Sequence, residues 1–112
     1  MLVLSVILFA IAALGGLVLG VLGLRQRDLP IWLSLIHGVV AAAGLITLIL
    51  GIMQGNAGTL PIVSLILFLI AALGGFVLFS YHLRRKPHPK GLIVIHALAA
   101  AVAFVLLLIG IL

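Results

Sequence analysis

The chain has 112 residues, enough for one domain over 1–112. It is 67% apolar and 6% charged, where ordinary globular domains are about 45–50% apolar. With six basic residues, one acidic residue and no cysteine, it excludes a soluble fold, a disulfide framework, a thiolate site and a paired-carboxylate active site. All six basic residues lie in two short segments between apolar runs, a pattern that orients a membrane protein and does not point to nucleic acid.

Four runs reach the roughly 20 apolar residues that a helix needs to cross a hydrocarbon core. Met1 to Leu24 is apolar or Gly except for Ser5. It has no positive leader and is too long for a signal-peptide core, so it is expected to be a span. Ile31 to Met53 follows the loop Arg25–Pro30, Leu60 to Leu83 follows Gln54–Thr59, and Gly91 to Leu112 follows Arg84–Lys90. Pro30, Pro61 and Pro89 fall at or near helix starts, where a missing N–H does no harm. Strands are not expected, because membrane barrels alternate apolar and polar residues and these runs do not.

Arg25, Arg27, Arg84, Arg85, Lys86 and Lys90 occupy the first and third loops, and the second loop and both termini have no basic side chain. The positive-inside rule then puts loops one and three in the cytoplasm and both termini on the other side, in a membrane such as the bacterial inner membrane.

The chain is also one hairpin written twice. An ungapped offset of 59 residues pairs Leu2–Ile52 with Pro61–Ile111, and 23 of the 51 pairs are identical. Ile11-Ala12-Ala13-Leu14-Gly15-Gly16 recurs as Ile70-Ala71-Ala72-Leu73-Gly74-Gly75, and Arg25, Pro30 and His37 recur as Arg84, Pro89 and His96. Repeats over 2–52 and 61–111 each hold two spans, so both enter the membrane in the same sense. The expected fold is an all-α, four-helix up-down-up-down bundle of two tandem hairpins, with a pseudo-two-fold axis along the membrane normal. In such a square the second and fourth helices are diagonal partners.

Four histidines divide into two kinds. His82 and His88 sit in the basic segment Tyr81–Lys90 and have Gly23 and Leu29 as counterparts, so they are expected to be solvated interface residues. His37 and His96 each lie six residues into a span, roughly 9–10 Å below the boundary. Ionisable groups at that depth are functional candidates and face the bundle interior. The repeat puts both at one level on diagonal helices, where one iron between two imidazoles fits. The second ring nitrogen of each is expected to donate to a carbonyl one turn back, at Leu33 and Leu92.

Small residues surround that level. Ala41 and Gly44 lie one and two turns deeper on the His37 face, as do Ala100 and Ala103 on the His96 face. Gly15, Gly16 and Gly20 on the first helix, with Gly74 and Gly75 on the third, leave room for a porphyrin edge. Arg25 and Arg84 sit at the nearer surface, where guanidinium groups bind propionates. Each feature also has a plainer explanation. Glycines serve close helix packing, arginines follow topology, and two neutral imidazoles can share a cross-helix hydrogen bond. A bare zinc site is poor, since no Cys, Asp or Glu is near.

In His37, His96 and the Gly15-Gly16 and Gly74-Gly75 pairs, the sequence resembles membrane b-type cytochromes, four-helix bundles in which histidines from two helices clamp a haem. Two intramembrane histidines in place of the four of di-haem members imply one haem b. The expected function is one-electron transfer, not catalysis, because two histidine ligands leave no open iron position. Its partners would be a quinone, a redox protein or a larger membrane complex, besides the lipid bilayer. A non-catalytic scaffold or assembly subunit, with the pair only locking the bundle, is the alternative. A small multidrug-type transporter matches in size but needs an intramembrane carboxylate that this chain lacks.

Overall fold

The computed structural model describes all residues, Met1–Leu112, and contains four helices and no strand. They are α1 (Leu2–Leu24), α2 (Ile31–Met53), α3 (Thr59–Leu83) and α4 (Lys90–Ile111). Each is long and apolar enough to cross a membrane. The molecule is 44 Å long and 23 × 19 Å across, the height of a bilayer with its headgroups. Large apolar side chains cover its outside, among them Val3, Leu14, Trp32, Val39, Leu73 and Phe76, as a lipid-facing surface requires.

The termini of the helices follow from turn chemistry. Pro30 and Pro89 are N-caps with extended backbone (ψ 126° and 124°), so α2 and α4 start one residue after a proline. At the other end, α1 and α3 stop at Arg25 and Arg84, and the next residues, Gln26 and Arg85, both take φ 55°. Their chains then fold back alike: Arg27 N–H donates to the Leu22 carbonyl, and Lys86 N–H to that of Tyr81. The loop between α2 and α3 turns through Gly55 (φ 92°), Asn56 (φ 62°) and Gly58 (φ 78°), where glycine removes the steric cost.

α1 packs mainly on α2, and α3 on α4. Narrower seams join α1 to α4 and α2 to α3. The remaining pairs, α1 with α3 and α2 with α4, meet only through side chains. Phe9 of α1 and Phe68 of α3 stack face to face, ring centres 3.7 Å apart and planes within 4°. Around them Leu48, Leu107 and Ala103 are fully buried. Phe9 and Phe68, like Leu48 and Leu107, are pairs at the 59-residue offset.

Packing is uneven along the bundle. Apart from Gly23 and Ile93, every buried residue lies in the half that holds both termini and the α2–α3 loop. There, Gly51 lets Leu2 approach the α2 backbone, and Gly110 does the same for Pro61 on α4. Without a hydrophobic force between helices in lipid, such small-residue contacts and interhelical hydrogen bonds carry the association. One pair of hydrogen bonds departs from the repeat. The buried Ser5 hydroxyl donates within α1 to the Leu2 carbonyl (2.6 Å), whereas Ser64 donates across to Ala103 on α4 (2.7 Å).

Gly44 lies under the Phe9 ring, and a Cβ there would come within 3.0–3.1 Å of three ring atoms. Gly44→Ala should move the ring by a few tenths of an ångström. Gly44→Leu should break the Phe9–Phe68 stack and cost about 1–3 kcal/mol, as overpacking of a filled core does. Unfolding by denaturing detergent from mild micelles checks this; an unchanged midpoint for Gly44→Leu would show that the stack is not a fixed part of the core.

Candidate functional site

His37 and His96 meet inside the bundle. Their ring centres are 6.3 Å apart and their planes nearly perpendicular, at 79°. Each ring makes one hydrogen bond, and the two are identical: Nδ1 of His37 lies 2.7 Å from the Ala12 carbonyl oxygen, and Nδ1 of His96 lies 2.7 Å from that of Ala71. Both acceptors differ from the Leu33 and Leu92 carbonyls that the sequence suggested. The rings reach sideways to the partner helix of their own hairpin and not back along their own helix.

The Gly-Gly pairs explain that direction. A helical side chain leans toward the N-terminus and covers the turn before it. Residues 15 and 16 therefore stand over the Ala12 carbonyl, and 74 and 75 over that of Ala71. Glycine at these positions leaves the carbonyl open on its second lone pair, the first being used by the helix. The fit is close. A Cβ on Gly16 would lie 2.8 Å from His37 Cε1, and one on Gly75 would lie 3.2 Å from His96 Cε1. Gly15 and Gly74 face the Cβ atoms of the same histidines at 3.8 and 3.6 Å. These four glycines seat the imidazoles themselves, where the sequence suggested a seat for a porphyrin edge.

The tautomer follows. A carbonyl only accepts, so each Nδ1 carries the proton and each neutral ring presents a bare lone pair at Nε2. Two such rings cannot hydrogen-bond to each other, because neither has a donor left. Each Nε2 is left free to accept a hydrogen bond or a proton, or to bind a metal ion.

The other predicted residues are placed as follows. Gly20 has nothing within 4 Å of its would-be Cβ. Ala41 and Ala100 are half-buried one turn below the histidines. Gly44 holds Phe9, and Ala103 is buried with its carbonyl engaged by Ser64. Arg25 and Arg84 are exposed at the ends of α1 and α3. The Arg84 guanidinium lies 4.6 Å from the Tyr81 ring centre and bonds to Ser80. Sequence reasoning missed Ala12 and Ala71, whose backbone carbonyls carry the orientation; the spacing Ala-x-x-Gly-Gly was the signal.

The ring spacing would allow one metal ion between the two imidazoles. Twice a metal–nitrogen bond of about 2 Å, plus half an imidazole on each side, matches the 6.3 Å between ring centres. A ligating histidine that donates its other N–H to a carbonyl is the usual arrangement at metal centres. Below the histidines the Phe9–Phe68 stack closes the interior. Two shallow hollows of about 270 and 230 Å³ sit elsewhere, on outward faces of α2 at Leu35–Val40 and of α4 at Ala101–Leu106.

His82 and His88 form a second imidazole pair, ring centres 6.0 Å apart, with Phe79 5.9 Å from His82. Burial, and after it the charge of His82, holds the pKa of His88 below the ordinary histidine value. Comparison with family models, with curated proteins and with solved structures finds no match to this chain.

Two expectations follow. In ¹⁵N spectra of the ligand-free protein at neutral pH, His37 and His96 should both be Nδ1–H tautomers; Nε2–H signals would contradict the carbonyl bonds. Gly16→Ala should disturb His37 more than Gly75→Ala disturbs His96, following 2.8 against 3.2 Å. For His88 the folded pKa is depressed, so its contribution to stability is full above the ordinary value of about 6.5 and is lost as pH falls through the lowered one. The wild type should lose stability over that window, and His88→Gln should lose less, as read from detergent unfolding at a series of pH values.

Proposed function

We propose that this chain is a membrane b-type haem protein in which His37 and His96 hold one haem for one-electron transfer. The observation that carries the reading is the pair of Nε2 lone pairs, on rings 6.3 Å apart, each locked by a 2.7 Å bond from Nδ1 to a backbone carbonyl. The Nδ1–H tautomers leave no donor for a hydrogen bond between the two rings, which removes that form of the scaffold alternative. The transporter alternative has no intramembrane carboxylate to work with.

A haem with both axial positions filled by imidazole supplies one-electron redox chemistry and no open site for oxygen. The chain's own residues do the rest. His37 and His96 present neutral nitrogens at fixed orientation. Ala12 and Ala71 make those nitrogens better donors by accepting the opposite N–H. Phe9 and Phe68 close the interior beneath, which keeps water and small molecules from the far side. Arg25 and Arg84 are the candidates for propionate contact at the near surface, in charge-assisted bonds. For Arg84 this means leaving Tyr81 and Ser80.

The same reading places two hairpins in an up-down-up-down square about a pseudo-two-fold axis along the membrane normal. The recurrence at one offset of the Nδ1–carbonyl bonds, the φ 55° residues and the proline caps supports it. The basic loops face the cytoplasm and the termini the opposite side, by the positive-inside rule, in a membrane such as the bacterial inner membrane. A quinone, a redox protein or a larger membrane complex exchanges the electron.

The test is spectroscopic. Protein expressed with ample haem and purified in mild detergent should show a Soret band and a six-coordinate low-spin spectrum, at one haem per chain by pyridine haemochrome. His37→Ala and His96→Ala should each abolish the low-spin signal, while His82→Ala and His88→Ala should leave it. A colourless wild type, or single variants that stay six-coordinate, would overturn the assignment.

A further inference from the structure

We infer that water and protons reach the His37–His96 pair from the basic end through the α2–α3 seam, along Ser34, His82 and His88, while the α1–α4 seam is sealed. The inference rests on the pair being the functional site, but not on what binds there.

Neither Nε2 is shut away. The rings are half-buried, their Nε2 atoms have no protein partner, and no partnerless polar side-chain atom in the bundle is closed to a water-sized sphere. Each Nε2 is therefore reachable from the molecular surface, at a depth of roughly 9–10 Å. The question is which seam gives that access.

The two seams differ at one equivalent position. Between α1 and α4, Ile93 is 93% buried, and its Cδ1 would lie 2.8 Å from a Cβ on Gly23. That branched side chain fills the space above His96, one helical turn from it toward the basic end. The 59-residue offset carries this Ile93–Gly23 contact onto Ser34 and His82 in the α2–α3 seam. The counterpart of the Ile93 plug is Ser34, a half-buried hydroxyl with no side-chain hydrogen bond inside the protein, and the counterpart of Gly23 is His82. His88, 6.0 Å from His82, continues the polar series to the loop.

The remaining charged and titratable groups at that end do not block it. Arg84 is held against Tyr81 and Ser80, and Arg27, Asp28, Arg85, Lys86 and Lys90 are exposed. Among the differences between the repeats at this end, three exchange an apolar residue or glycine for a polar group: Ile93/Ser34, Gly23/His82 and Leu29/His88. A charge that arrives at the deep pair is costly unless compensated. Ser34 lies one turn from His37 toward the basic end, and Ser34, His82 and His88 can each donate and accept hydrogen bonds.

Deuterium uptake at histidine Cε1–H, resolved by residue with mass spectrometry, tests the path in haem-free protein in detergent. His37 and His96 should exchange measurably in the wild type. Ser34→Leu, which copies the plug of the other seam, should slow both by roughly tenfold, as loss of a local opening does. Ile93→Ser should speed them, and because it opens a second seam it also guards against a misfolded Ser34 variant. Unchanged rates in both variants, or no exchange in the wild type, overturn the path. Since the measurement uses no haem, a colourless protein leaves its outcome intact.

Discussion

An imidazole deep in a lipid-facing bundle has to satisfy its N–H, and this fold satisfies it with a helix carbonyl that is already in use. An unpartnered polar group in an apolar setting costs several kcal/mol in the limit. A carbonyl oxygen has two lone pairs, but in a helix the second is normally covered by the side chains three and four residues on. Two consecutive glycines uncover it. His37 on Ala12 and His96 on Ala71 are therefore contacts that only the Gly15-Gly16 and Gly74-Gly75 pairs permit. They set where α2 crosses α1 and where α4 crosses α3. From them follow the ring spacing, the tautomer and the exposure of both Nε2 atoms.

Much of this was readable before any coordinates. The four apolar runs matched the helices to within a residue or two, because length and hydropathy decide a membrane span. The offset of 59 residues announced which histidines would share a level, and depth separated His37 and His96 from His82 and His88. The acceptors were not read correctly. Looking one turn back along the same helix to Leu33 and Leu92 overlooked that those carbonyls stay covered by side chains, whereas Ala12 and Ala71 do not. The glycines were read as space for a cofactor, when their nearest occupants are the imidazoles. Periodicity shows which face a glycine is on; it does not show which of two neighbours fills it. The split behaviour of Ser5 and Ser64 follows a difference the offset does show: the Gly44 carbonyl that corresponds to Ala103 already accepts from Thr47 (2.9 Å), whose counterpart is Leu106.

The repeat gives two similar halves, and the ends of the bundle use that similarity differently. At the end with the termini, equivalence is kept: Phe9 with Phe68 and Leu48 with Leu107 fill a tight core. A stack centred between the halves works only if both supply the same ring. At the basic end the halves diverge, with Ile93 against Ser34 and Gly23 against His82. That end is loosely packed, so a substitution there removes little packing energy and is free to add polarity. Rigidity at one end and variation at the other are consequences of where the core is.

The lone pairs supply the last link between packing and function. Hydrogen bonds within the protein satisfy the donor side of each imidazole and leave the acceptor side unsatisfied on both rings at once. Turning one ring over would break its carbonyl bond. The bundle consequently holds a pair of bases that the protein alone cannot neutralise. Any species that bridges them binds the folded chain and not the unfolded one, and it stabilises the fold by mass action in proportion to its affinity. A site of this kind rests on the glycine seats and the closed core beneath it, and it leaves both Nε2 atoms of His37 and His96 free to accept a proton or a Lewis acid.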